Sequence, residues 1–337
     1  MSNPVTKSMG GHRRSLLERF LMQGGIVITL LVLAVTITAV MEPRFLNRLN
    51  LINVMRNFAL LLIPSLAQML VMTAGGFDLS VGAVVAISSV VTAMMMLAAG
   101  AYFPGMDMVL ILLALVAALG TGAIVGAVNA GLVANFQLSP FMVTLAMMSI
   151  LMGIALYYTQ GIPIYGVAES FVNGVGRGQI FGLPVILFIS LAILIACIVM
   201  QRFTAIGRHI YAVGSDQRSA RLSSVATKRT LVVAYVIAGM LSALTGFLMT
   251  SRLGSGQSTI GSTLALETIA AAVIGGVSLR GGIGRAEHVA LAALFLAVIA
   301  NAMNLVQIDS KYQTLVLGAV LIVALAIERL VLSRRHA

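Results

Sequence analysis

The densest group of residues able to bind, bend or donate is Thr73-Ala74-Gly75-Gly76-Phe77-Asp78-Leu79-Ser80-Val81-Gly82. Gly75 and Gly76 close one apolar run and give the backbone freedom to turn. An acid and a hydroxyl follow, and a second apolar run begins at Val81. Asp78 or Ser80 can accept from the free amides that open this second run, capping a helix at its positive end. The other role is a polar break that lines a translocation route. The residues alone leave both open. Gly275-Gly276-Val277-Ser278-Leu279-Arg280-Gly281-Gly282 echoes the segment as Gly-Gly-x-x-Leu-x-x-Gly, a pattern that two hairpins of the same turn chemistry also explain.

Gln68, Ser88, Ser89, Thr92, Asn129 and Thr144 place amides and hydroxyls within apolar runs. They suit contacts along a pathway or hydrogen bonds from helix to helix. Carboxylates are scarce there: Glu267 is the one expected inside a run, near its outer end, and Asp107, Glu287 and Asp309 fall at run ends. Proton- and ion-driven carriers place ionisable groups at the membrane midplane, so the scarcity points to a neutral cargo and to an energy source outside the chain. No G-x-x-x-x-G-K-[ST] loop exists to cradle nucleotide phosphates. His12, His209, His288, His336 and the single Cys197 lack the spacing of a metal site. No catalytic residue, bound cofactor or metal is expected.

The elements that must position these groups follow from composition. The chain has 337 residues, of which 60% are apolar and 9% charged. At about 1.5 Å per residue, about 20 apolar residues cross a hydrocarbon core of roughly 30 Å. The apolar runs predict an all-α polytopic membrane protein of about ten transmembrane helices, at 24–41, 57–74, 81–99, 107–133, 141–158, 184–201, 230–251, 265–279, 287–305 and 313–332. The fourth is long enough to tilt or break at Gly120, Gly122, Gly126 or Gly131. Gly122, Gly126 and Ala130 also form a small-xxx-small face for close helix packing. Residues 1–23 form a basic N-terminus, 24–332 a single transmembrane domain and 333–337 a tail. An even span count puts both termini on one side. Making that side cytoplasmic puts most of the 21 Lys and Arg inside, as topology signals; Arg44, Arg48 and Arg56 run against it. The net charge of +11 is thus read as membrane orientation and attraction to anionic lipid, with no nucleic-acid partner.

The one long basic interruption is 202–229. Gly214 reads as a chain break, Ser215 or Asp216 as an N-cap, and Gln217–Ser223 as about two helical turns. Arg218 and Arg221 fall on one face, Leu222 and Val225 on another. So short a helix must pack on its own bundle or on a partner, and it suits a lever on a cytoplasmic motor.

These residues resemble the permease subunits of ribose/xylose-type ABC importers, from about Pro43 to Glu328. Residues 73–82 are similar to that family's T-G-G-I-D-L-S-V-G and Gly126–Val133 to its G-x-x-N-G-x-L-V. Pro140–Leu145 resembles P-F-I-x-T-L, and Ala212–Asp216 resembles A-[IV]-G-G-N. Ile269–Gly284 resembles I-A-A-V-V-[IL]-G-G-x-S-L-x-G-G-x-G. Asp216 stands where Asn is typical, Arg218 where Ala is, Ser224 where Gly is, and Glu267 where Asp is. The resemblance implies import of a monosaccharide or small neutral polyol across the bacterial inner membrane. It implies a second permease copy or paralogue, a cytoplasmic ABC ATPase that uses ATP and magnesium, and a periplasmic or extracellular sugar-binding protein. By the same resemblance Gly214, Ser215, Asp216, Arg218, Arg221 and Leu222 belong to the ATPase-coupling loop. Gly75, Gly76, Asp78, Ser80, Asn129, Thr144 and Glu267 are the candidates for pathway or gate. A self-sufficient secondary carrier is the alternative class, and the basic loop together with the few carboxylates weighs against it.

Overall fold

In hydrocarbon, backbone amides and carbonyls must be satisfied within their own segment, so apolar runs this long become helices. The structure, a computed structural model, describes residues 25–309 together with 312, 313, 315, 316, 318, 319 and 322. The N-terminal segment 1–23, most of the tenth predicted span and the tail 333–337 lie outside the described residues.

The chain runs through α1 (Ile26–Met41), a 3-10 turn (Pro43–Leu46), α2 (Arg48–Thr73), α3 (Val81–Gly100), α4 (Asp107–Phe136) and α5 (Pro140–Thr159). A helical turn (Glu169–Phe171) then leads into a π turn (Val172–Gly176). A two-stranded antiparallel hairpin follows, β1 (Gln179–Ile180) against β2 (Leu183–Pro184). The remaining helices are α6 (Val185–Phe203), α7 (Ala205–Ser215), α8 (Gln217–Leu222), α9 (Thr227–Leu253), α10 (Leu264–Ile274) and α11 (Ala286–Leu305). Among the described residues, seven helices are long and apolar enough to cross a membrane: α2, α3, α4, α5, α6, α9 and α11. The first and eighth predicted spans are the shorter α1 and α10.

Two expectations need correction. The eighth span, 265–279, is an 11-residue helix that stops at Ile274, because Gly276 at φ +77 turns the chain out of the helical path. The fourth span does not break at its glycines: α4 is one helix of 30 residues, about 45 Å long. Its small face explains the continuity. A β-carbon on Gly122 would collide with the carbonyl of Gly239, and one on Gly126 with the carbonyl of Tyr235, both on α9. The glycines bring two backbones together rather than loosening one.

α9 occupies the middle of the bundle, packed against α4, α3 and α2, while α11 closes on α2, α1 and α10. α4, α5 and α6 turn apolar side chains such as Val116, Met142 and Ile195 outward. Cys197 of α6 is buried, in an apolar cluster with Leu66, Met69 and Leu70.

Candidate functional site

The end of α2 follows from its glycine. Gly75 adopts φ +80, and the amides of Gly75 and Gly76 return to the carbonyls of Met72 and Val71, each at 2.9 Å. This paired closure needs a left-handed residue just past the helix. The chain is then non-helical until α3 resumes at Val81. The segment lies inside the bundle: Asp78 is 3% exposed and Ser80 fully buried.

Side chains from three helices reach this segment, two of them bonding its backbone and one the Ser80 hydroxyl. The Tyr235 hydroxyl of α9 accepts from the Phe77 amide at 3.3 Å and donates to the Phe77 carbonyl at 3.1 Å. The Leu79 amide donates to Thr144 Oγ1 of α5 at 3.1 Å. Asp78 Oδ1 accepts from the Ser80 amide at 2.8 Å and from Ser80 Oγ at 2.6 Å. Ser80 Oγ accepts in turn from Asn129 Nδ2 of α4 at 3.0 Å. Neither Asp78 nor Ser80 caps α3: Ser80 is the N-cap residue and makes no side-chain cap bond, while the carboxylate accepts from no backbone amide beyond that of Ser80. Asp78 therefore braces the break. Tyr235, its neighbour across Phe77, lies eight residues into α9. Among the described residues no Lys or Arg is within ion-pair distance of Asp78.

Three glycine-bearing segments meet where α2 ends. The Gly282 amide donates to the Thr73 carbonyl at 2.9 Å. A β-carbon on Gly214 of α7 would overlap that same carbonyl and come within 2.6 Å of Gly282 N. One on Gly281 would stand 2.6 Å from the Gly214 carbonyl and 2.9 Å from Gly75 Cα. The Tyr211 hydroxyl of α7 donates to the Gly284 carbonyl, and burial with the nearby Glu287 pushes the Tyr211 phenol up from its ordinary pKa. The segments 73–82, 212–216 and 275–284, read separately in the sequence, thus share one backbone junction. Gly214 is no chain break. It lies within α7, where its missing side chain permits the contact.

Asp216 caps α8 as expected, Oδ1 accepting from the amides of Arg218 at 2.8 Å and Ser219 at 3.3 Å, and Oδ2 from Ser219 Oγ at 3.0 Å. These bonds, those from Ser219 foremost, hold its carboxyl below the usual range. The six residues of α8 bury only Ala220. Leu222 is 82% exposed, not turned inward with Val225, which packs beside Ile210 and Leu231. α8 therefore presents Arg218, Arg221 and Leu222 outward. Close by, Glu287 of α11 pairs with Arg202 of α6 at 2.5 Å and with Arg285 at 3.3 Å.

Glu267 stands apart from the break. On the first turn of α10 it accepts from Thr263 Oγ1 at 2.6 Å and lines a cavity of about 320 Å³ with Asn57, Leu61, Arg252 and Leu296. Buried polar atoms without a partner among the described residues include both amide atoms of Gln68, Ser88 Oγ, Thr73 Oγ1 and Asn129 Oδ1. Sequence reasoning missed Tyr235 and Tyr211, whose hydroxyls tie down backbone. The signal for Tyr235 was a phenol within an apolar run, where its oxygen must find a partner.

A helical membrane bundle whose backbone is interrupted inside it, and whose interruption is joined to an exposed basic loop, is built as a solute permease. The chain belongs to the permease family described as "Branched-chain amino acid transport system / permease component", which it matches over residues 50–325. It is 36% identical over 301 residues to the ribose import permease protein RbsC of Bacillus subtilis, covering 89% of this chain and 90% of the relative. It is 33% identical over 327 residues to RbsC of Escherichia coli K12, covering 96% and 98%. With the D-allose transport system permease protein AlsC of the same organism it shares 32% over 303 residues, 90% of each chain. No solved structure matches this chain. The protein is a multi-pass component of the inner membrane.

Proposed function

We propose that this chain is the membrane-spanning subunit of an ATP-driven importer for a monosaccharide or related small neutral polyol. The names of its relatives support the cargo class, as do the unpartnered amide of Gln68, hydroxyl of Ser88 and Oδ1 of Asn129, groups that match sugar hydroxyls. Family membership favours this reading over a self-sufficient carrier. A second permease copy or paralogue completes the conduit. A cytoplasmic ATPase uses ATP and magnesium, and this chain binds no cofactor of its own. A soluble sugar-binding protein delivers cargo from outside.

The observation that carries the proposal is the junction of Thr73, Gly214 and Gly282. The ATPase grips α8 through Arg218, Arg221 and Leu222, with Asp216 holding the helix start. A shift of α8 passes into α7, and at Gly214 there is no side chain to give way. The α2 end and the 281–284 loop must then move with it, because packed backbones switch between discrete arrangements rather than yield continuously. The moved α2 end carries Gly75 and Gly76, so the braced segment up to Ser80 is where the motion reaches the cargo route.

In liposomes holding the whole importer, Gly214→Ala should keep membrane insertion and ATP hydrolysis while sugar uptake per ATP falls by about five- to a hundredfold. Unchanged coupling would remove the junction from the mechanism.

A further inference from the structure

Four arginines gather at the end of the bundle opposite the coupling loop. Arg48 opens α2 and Thr73, in the junction, closes it; this helix of 26 residues is about 39 Å long. Arg56 lies two turns further along α2 and donates from Nη2 to the Arg177 carbonyl at 2.9 Å, and its Nε is buried with no partner. Arg252, at the end of α9, donates to Asn57 Oδ1 at 2.7 Å. Among the described residues, none of the four has a carboxylate within ion-pair distance. The rule that collects basic residues on the cytoplasmic side gives no reason for them. By contrast, Arg44 at the same end is already matched by Glu42 at 3.0 Å.

Beside them stands an apolar tip. Phe181, at the turn of the β1–β2 hairpin, is 98% exposed and held at φ +53, a conformation that costs a bulky residue energy. A β-carbon on the next residue, Gly182, would stand 3.2 Å from Arg48 Nη2, so the tip and the cationic patch adjoin. An exposed aromatic tip beside guanidinium groups that lack carboxylate partners has the make-up of an interface hot spot. Its charge calls for carboxylates, which arginine grips in paired hydrogen bonds.

The geometry points to Phe181 and the Arg48–Arg56–Arg177–Arg252 cluster as the seat for an acidic lobe of the sugar-binding protein. This rests on the importer reading above for the existence of that partner. It adds which residues meet the partner and the sign of the charge it must present. The exposed Arg48 and Arg177 steer and hold it, Phe181 enters an apolar recess on it, the half-buried Arg56 holds the backbone at Arg177, and Arg252 holds Asn57 beside it. Docking here is at the far end of α2 from the ATPase junction.

The test uses the complete importer in phosphatidylcholine nanodiscs, titrated with the sugar-loaded binding protein that supports its ATP-driven uptake. Arg48→Glu, Arg177→Glu and Phe181→Ser should each raise the half-saturating concentration about tenfold. The two charge reversals should also flatten its dependence on salt. Arg44→Glu, at the same end but outside the cluster, should leave it within about twofold. Thermal unfolding of each variant separates lost docking from lost fold. Wild-type affinity and salt dependence in both charge-reversal variants would overturn the assignment. So would unchanged affinity with a loss of the stabilisation that added phosphatidylglycerol gives the wild type, since the occupant would then be a lipid phosphate. Failure of the importer reading is seen separately, as a wild-type complex with no ATP-driven uptake under any binding protein.

Discussion

Tyr235 and Asp78 make an interrupted backbone tolerable inside a membrane protein. The Tyr235 hydroxyl serves both the amide and the carbonyl of Phe77, and the Asp78 carboxylate gathers the Ser80 amide and hydroxyl. Tyr235→Phe strands two buried backbone groups, at about 1–3 kcal/mol each where nothing replaces the lost partner. Asp78→Asn keeps an acceptor oxygen, whereas Asp78→Ala leaves Ser80 with none. Thermal unfolding in detergent should therefore rank Asp78→Ala and Tyr235→Phe well below Asp78→Asn, with all three still inserted. Equal melting for Asp78→Ala and wild type would remove the brace. The position of Asp78 was visible in the sequence and its task was not. A Gly-Gly-x-Asp-x-Ser string reads as a cap when its neighbours in space are unknown, and the three helices that contribute Tyr235, Asn129 and Thr144 lie 49 to 158 residues away.

Among the elements, the glycine faces decide where helices meet. Gly122 and Gly126 bring α4 against α9 with no room for a side chain, so Gly126→Leu should prevent assembly or cost well over the roughly 1–3 kcal/mol typical of overpacking. Gly120 and Gly131 face open space on the same helix, and alanine there should stabilise by up to about 1 kcal/mol through helix propensity. Expression level and melting temperature distinguish the two pairs. The long helices were legible because an apolar run and its length dictate a span. α7 and the short α10 were not, since a glycine inside a helix and a glycine past its end look alike in sequence. Gly214 belongs to the first kind and Gly276 to the second. The echo between the two Gly-Gly strings also shifts register in three dimensions. The left-handed residue is the first glycine in Gly75-Gly76 and the second in Gly275-Gly276. After α10, the amides of Gly276 and Val277 return to the carbonyls of Val273 and Ala272 at 2.9 Å, so Gly276 is the counterpart of Gly75.

On the scale of the whole molecule, the basic loop with its junction and the arginine cluster with Phe181 occupy opposite ends, and α2 runs between them. On the importer reading, such a body is worked from its two ends by partner proteins. Vesicles containing this chain alone should therefore show no sugar accumulation under a proton or sodium gradient, and uptake should appear when the ATPase and binding protein are added. Gradient-driven accumulation by the lone chain would sink the importer reading. One quiet feature makes these motions open to measurement. The chain's single thiol, Cys197 of α6, is sealed among apolar side chains, chiefly of α2, α10 and α11. A spin label or fluorophore directed to a new cysteine at Leu222 or at Phe181 would meet almost no background, so the native sequence already serves as a blank on which the distance between the two ends can be read during turnover.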